Sequence, residues 1–287
     1  MLWAPTCEFL WRESNLNGRP VTGTQGVSIT PGNNTKGSWV EILADTVITQ
    51  DVYWIEICIS SIAVSASAKD SIVDIGFDPT GGTTWEALIA DLFASDAAPY
   101  GGSNSSGGVW YAFPLFIKAG TALAARGSVN NATVGTAQIY VRVYGRPSHP
   151  ELVRAGSHVD AFGIVAGSSR GTVITPGTTS EGAWTELTGA VTTEDYWYWQ
   201  CAVGVNDGTM TTSPIHVDLS AGDASLKDVI ITDDPWFVYA SEAIGHGLAI
   251  SPQNWRSVPA GARVYARAQN AGALDAAYSA SAYAVRG

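Results

Sequence analysis

Charge is scarce in this 287-residue chain. Asp, Glu, Lys and Arg together make up 14% of it, with 15 basic residues against 26 acidic ones. The net charge of -11 repels phosphate backbones and anionic lipid surfaces, so neither nucleic acid nor membrane is an expected partner. Long apolar runs are missing too. The stretch VYWIEICISSIAV, from Val52, carries an internal acid and falls short of the ~20 residues that a membrane-spanning helix needs. The opening MLWAPTCEFLW has no basic region and meets Glu8 before a signal-length apolar core forms, which predicts folding in a cytosol.

Cysteine is rare, at three residues, and an odd number cannot pair completely within one chain. Cys58 and Cys201 lie in apolar, strand-like runs and read as small buried hydrophobes. Cys7, in an N-terminal arm, is a candidate for an intermolecular disulfide or a free thiol. The four histidines, His149, His158, His216 and His246, form no cluster at zinc-ligand spacing. His216 and Asp218 share a strand face, and Asp223, Asp228, Asp233 and Asp234 form an acidic stretch without the D-x-D-x-D-G order of a calcium loop. No metal and no cofactor is expected.

Catalytic signatures are equally thin. No G-x-S-x-G elbow occurs, and GGSNSSGG (101–108) is followed by no Lys-Ser/Thr and reads as a flexible loop tip. Asp74 and Asp78 share the strand face opposite Val73, Ile75 and Phe77, the minimum a glycosidase would need. They align with His216 and Ser220, however, so the pair reads as a solvated strand face and a turn-forming Asp-Pro. The chain is expected not to be an enzyme.

Glycine and aromatic residues are plentiful: 31 Gly, 11 Trp and 11 Tyr. That composition favours strands and tight turns. The chain also repeats itself at a shift of about 145 positions. SITPGNNTKGSWVEI (28–42) returns as VITPGTTSEGAWTEL (173–187), so Gly37, Trp39 and Glu41 match Gly182, Trp184 and Glu186. Ala125-Arg126 returns as Ala266-Arg267, and the halves end alike in YVRVYG and AYAVRG.

In each copy Thr-Pro-Gly ends a strand, because Pro fixes φ and Gly accepts the turn. Strands are expected near 37–43, 52–63, 71–77, 84–92, 108–117, 121–127 and 136–144, with one before Pro31. EALIADLFA (86–94) could be a helix, but its β-branched counterpart KDVIITDD (227–234) makes both strands. The fold class is therefore all-β: two tandem β-sandwich, jelly-roll-like domains related by duplication. Residues 1–146 hold the first, with the arm 1–11. Residues 147–287 hold the second, behind a stiff Pro-rich linker, RPSHP (146–150).

Trp39 and Trp184 are expected as core anchors of the repeat, and Arg126 and Arg267 beside a carboxylate of a neighbouring strand. In Tyr196-Trp197-Tyr198-Trp199 aromatics occupy both strand faces, so a ring pair must face away from its own core. Trp110, Trp236 and Trp255 have no counterpart in the other copy. These rings read as intrachain packing, a protein interface, or, with Trp197, a sugar-stacking groove. Trp3, Cys7, Phe9 and Trp11 make the arm a candidate subunit contact.

The phrases ITPG with a following GxW, DIGFDPTGG (74–82), and FPLFIKAGTALAAR (113–126) with a GTA-initiated strand resemble β-rich structural proteins of tailed bacteriophages. The resemblance implies a virion protein assembled in the host cytoplasm, without catalytic residues. Its role would be capsid decoration, head fibre, collar or tail attachment. It also implies other virion proteins as partners. Low charge, duplicated sandwiches and surplus aromatic surface suit a homo-oligomer, and a trimer would give pseudo-sixfold symmetry. The alternative is a carbohydrate-binding, receptor-recognition module displayed on the particle.

Overall fold

The computed structural model describes residues 12–13, 26–63, 69–96, 109–130, 135–145, 154–168, 170–205, 213–223, 225–238, 246–247, 255–270 and 278–287. Among these every extended element is a strand, and the helical content is one 3-10 turn at Ala166–Ser168.

In the first half, β5 (Val52–Ala63) lies between β8 (Val109–Phe113) and β10 (Thr136–Gly145). The far edge of β10 takes β1 (Arg12–Glu13) and β2 (Val27–Ile29). The facing sheet centres on β6 (Lys69–Asp78), between β7 (Glu86–Asp96) and β9 (Ala122–Val129). Beside β9 run β4 (Val40–Leu43) and the short β3 (Gly32–Asn33). The two sheets thus read β2-β10-β5-β8 and β4-β9-β6-β7. From β4 to β10 successive strands alternate between the sheets except at β6 and β7, which pair as neighbours in one sheet, and this is jelly-roll-like connectivity.

The second half repeats this plan. Its first sheet is β13 (Arg170–Ile174), β20 (Tyr278–Arg286), β15 (Tyr196–Val205) and β18 (His246–Gly247). β11 (His158–Phe162) also pairs with β20, and β12 (Ile164–Val165) extends β13. The second sheet is β14 (Thr185–Glu186), β19 (Arg263–Asn270), β16 (Ser213–Gly222) and β17 (Lys227–Val238). The fold class expected from the sequence is the one observed, and both ambiguous segments, 86–94 and 227–234, are strands.

The repeated TPG phrase has a local cause. The loop after it folds back so that Gly37 donates to the Gly127 carbonyl at 2.8 Å and Gly182 to the Ala268 carbonyl at 2.9 Å. A Cβ at either glycine would collide with the carbonyl of Thr30 or Thr175, so each copy needs glycine there.

The RPSHP linker lies outside the described residues. Among the described ones the halves are joined by packing. β11 runs parallel to β7 (Val159 opposite Ile89), and Gly156 exchanges backbone hydrogen bonds with Pro114 and Phe116 at 2.9 Å each. The β13-β20-β15-β18 sheet is covered on both faces. Tyr196, Trp199, Cys201, Ala280, Ala282 and Ala284 fill its own sandwich, while Trp197, Tyr198, Ala202, Tyr283 and Val285 belong to the first half's core.

Along that seam the Tyr283 ring meets Tyr111 edge-on at 5.2 Å, and Phe113 packs against Tyr198 at 6.3 Å. The polar tips are satisfied across it. Phe93 N–H donates to the Tyr283 hydroxyl at 2.6 Å, which donates to the Asp91 carbonyl at 3.0 Å, and the Tyr198 hydroxyl donates to the Ala112 carbonyl at 2.9 Å. All four rings are at most 1% exposed. Buried aromatics of this size whose hydroxyls all find partners hold two surfaces in one fixed arrangement.

Candidate functional site

The duplicated sheets carry one charged cluster each, on the face turned away from the core. In the first copy Asp74 of β6 is directly opposite Arg126 of β9, and the Arg126 Nε–H donates to Asp74 Oδ2 at 2.9 Å. The guanidinium lies 4.3 Å from the Trp39 ring centre. On the other side β7 bulges, placing Asp91 at φ 58°, and its backbone N–H donates to Asp74 Oδ1 at 2.9 Å. Aspartate tolerates this left-handed conformation better than most residues.

The second copy reproduces every part. Asp218 opposes Arg267, whose Nε–H donates to Asp218 Oδ2 at 2.7 Å, and the guanidinium sits 4.3 Å from the Trp184 ring centre. Asp233, at φ 48° in the matching bulge, donates its N–H to Asp218 Oδ1 at 2.7 Å. These carboxylates are buried, at 3% and 2% exposure, and each receives a guanidinium and a backbone N–H. That is how a buried charge is tolerated.

One position differs. In the first copy the Lys36 ammonium bridges Asp74 at 2.6 Å and Asp91 at 2.8 Å. In the second, the same place in the repeat is Glu181, which pairs with Arg267. The ligand oxygens of Glu181, Asp218 and Asp233 lie within 4.8 Å of one another. Burial, and then the adjoining Asp218, push the Glu181 carboxyl above the usual glutamate range, with Arg267 pulling the other way.

Several sequence expectations are corrected here. Asp218, not His216, is the counterpart of Asp74, because each faces the repeat's arginine across the ladder. Asp74 and Asp78 are not solvated: they are 3% and 1% exposed. Asp78 accepts the Thr80 N–H and hydroxyl and the Thr84 N–H, which hold its carboxyl below the usual aspartate range. That is turn chemistry, remote from a catalytic pair. Trp39 and Trp184 are not core anchors. They are half-buried on the outer face as covers for the arginines, and Trp39 needs Gly76 beneath it, where a Cβ would come within 2.8 Å of the ring.

Among the sugar-stacking candidates, Trp197 is corrected: it is 2% exposed, 5.1 Å from Trp255 and 4.5 Å from the Arg154 guanidinium, so it offers no open ring face. Trp255 is 45% exposed above it. Trp110, 37% exposed, carries the Arg142 guanidinium at 4.9 Å. The Trp236 side chain, and the arm residues Trp3, Cys7, Phe9 and Trp11, lie outside the described residues.

Cys58 and Cys201 are thiols buried in equivalent strands. Burial pushes the Cys58 thiol up to about 11. Both are expected to resist Ellman's reagent at pH 8 in the native protein and to react after unfolding in urea, as read by peptide mass spectrometry.

No protein-family model and no curated protein sequence matches the chain. Solved structures do align with it. An atomic structure of Sulfolobus Turreted Icosahedral Virus shares 10% identity at a TM-score of 0.39, covering 92% of this chain and 89% of that one. The tandem CBM22-1–CBM22-2 domain of Paenibacillus barcinonensis Xyn10C shares 11% at 0.29, covering 99% of each. Recombinant N-glycanase F shares 9% at 0.36, covering 97% and 95%. Viral capsid structures and carbohydrate-binding modules are thus among the weak structural neighbours. Scores this low assign no function.

Proposed function

We propose that this chain is a non-enzymatic structural protein of a virus particle, of the kind that decorates or connects the shell of a tailed phage as a homo-oligomer. The observation that carries this reading is the seam. Two jelly rolls are locked into one body by fully buried Tyr111, Phe113, Tyr198 and Tyr283, with the second roll's inner sheet covered on both faces. Independent binding modules need only a tether, whereas a building block of a shell must fix the angle between its lobes. Jelly rolls serve both capsids and lectins, so the rigidity of the pair, and not the fold by itself, favours the structural role.

Size-exclusion chromatography with light scattering tests it. A discrete oligomer is expected, with a trimer at three times the 30.1 kDa chain mass. A strictly monomeric chain whose residues 1–11 are dispensable for particle incorporation would overturn the proposal. The exposed faces of Trp110 and Trp255 favour the carbohydrate-binding reading at those two positions. A glycan array that turns positive, and loses its signal in Trp110→Ala or Trp255→Ala, would replace the structural proposal with that one.

A further inference from the structure

We propose that the outer face of the second jelly roll holds a divalent cation, calcium by its oxygen ligands, between Glu181, Asp218 and Asp233. The proposal is independent of the virion reading.

Three converging carboxylates would not suffice alone, since acidic clusters are common. The independent observation is the molecule's own other copy. There the equivalents of Asp218 and Asp233, which are Asp74 and Asp91, grip a cationic group: the Lys36 ammonium, at 2.6 and 2.8 Å. The backbone bulge, the arginine and the covering tryptophan are the same in both copies, at matching distances. A pocket that binds a positive charge has been duplicated, and one copy has replaced its built-in cation with a third carboxylate.

Charge counting gives the charge such an ion would carry. In the first copy Lys36 and Arg126 balance Asp74 and Asp91, so the cluster is neutral. In the second, Arg267 alone faces Glu181, Asp218 and Asp233, leaving a net charge of -2. That excess is like charge converging beside the buried Asp218, and a dication restores the neutrality of the first copy.

The oxygens are suitably placed. Separations within 4.8 Å fit ligands that each sit about 2.3–2.6 Å from a shared calcium. Arg267, stacked on Trp184, takes one oxygen from each of two acids, Asp218 Oδ2 and Glu181 Oε2, which leaves Asp218 Oδ1, Glu181 Oε1 and the Asp233 carboxylate for the ion. Asp233 is exposed, which leaves room for water to complete the coordination shell. Magnesium, which demands tighter octahedral geometry, fits such a mixed, open set less well.

The test uses the full chain, stripped with EDTA and titrated with calcium chloride by isothermal calorimetry, with terbium luminescence sensitised through Trp184 as a second readout. One ion per chain is expected, with Kd on the order of 10^-4 M as in other exposed oxygen-ligand sites. Asp233→Asn should weaken binding about tenfold or more, because ligand charge count tunes such sites. Asp91→Asn, the matching change in the first copy, should leave binding unchanged.

The decisive variant is Glu181→Lys, which recreates the first copy's arrangement. It should fold, bind no calcium, and in calcium-free buffer melt as high as the calcium-loaded parent. Three results would overturn the proposal: no binding at 10 mM calcium chloride (~10^-2 M, far above the expected Kd), equal binding by the parent and Glu181→Lys, or relief of the excess charge by protons alone, with Tm rising at low pH and indifferent to calcium.

Discussion

Replacing Tyr283 with alanine is expected to destabilise the protein by about 5 kcal/mol, the sum of an aromatic-to-alanine cavity and an orphaned buried donor. The ring is fully buried between the halves, against Tyr111 at 5.2 Å and Phe113 at 6.4 Å. Its hydroxyl accepts from Phe93 N–H and donates to the Asp91 carbonyl, so truncation strands both backbone groups. A loss of this size is a large share of the ~5–15 kcal/mol that holds a typical domain together. Urea denaturation followed by tryptophan fluorescence should show the midpoint falling and the single transition splitting in two as the halves uncouple. Tyr283→Phe keeps the ring and should cost only about 1–2 kcal/mol. If Tyr283→Ala loses less than about 1 kcal/mol, within the range of an ordinary surface substitution, the seam does not hold the halves.

The second large effect is expected at Asp74. Asp74→Ala removes the acceptor shared by Arg126, Lys36 and the Asp91 N–H. Breaking a buried pair by deleting one member costs about 3–5 kcal/mol. The lower figure applies here, because Arg126 and Lys36 keep 32% and 20% of their side-chain exposure and can turn to water. Replacing Lys36, Asp74 and Arg126 together with methionine should recover much of the loss, since the one charge left behind, Asp91, keeps 30% of its side-chain exposure and can turn to water. A triple variant as unstable as Asp74→Ala would mean that the ion pairs themselves, not the avoidance of unpaired charge, hold this face together.

Strands were legible because their apolar residues recur with period two, and β2 and β4 to β10 fall where that pattern puts them. Pairing between strands was harder to read, for the same reason. A slip of two residues in aligning VDIGF with HVDL leaves the apolar alternation intact, which is why Asp74 seemed to match His216 and the shared Asp–Arg pair went unseen. Only the ladder, with Asp74 opposite Arg126 and Asp218 opposite Arg267, fixes the register.

Asp91 carried no signal, and Asp233 stood out only as one of four acids in an acidic stretch. Their roles come from bulges that displace one residue in a strand, and nothing in ADLF or TDDP marks that. The exchange of Lys36 for Glu181 was visible in the sequence as TKGSW against SEGAW, but it meant nothing until the carboxylates around it were known. The YWYW run showed that a ring pair points outward; that the receiving surface is the first jelly roll depended on tertiary packing.

The seam also sets a timetable for biosynthesis. Phe93 emerges from the ribosome 190 residues ahead of the Tyr283 that covers it, roughly 10–40 s at ordinary elongation rates of ~5–20 residues per second. For that interval the first jelly roll presents Phe93, Tyr111 and Phe113 uncovered, a sticky surface that chaperones or proteases can recognise. Chains broken off before β20 never cover it, so an incomplete copy keeps this aromatic surface on show for as long as it lasts.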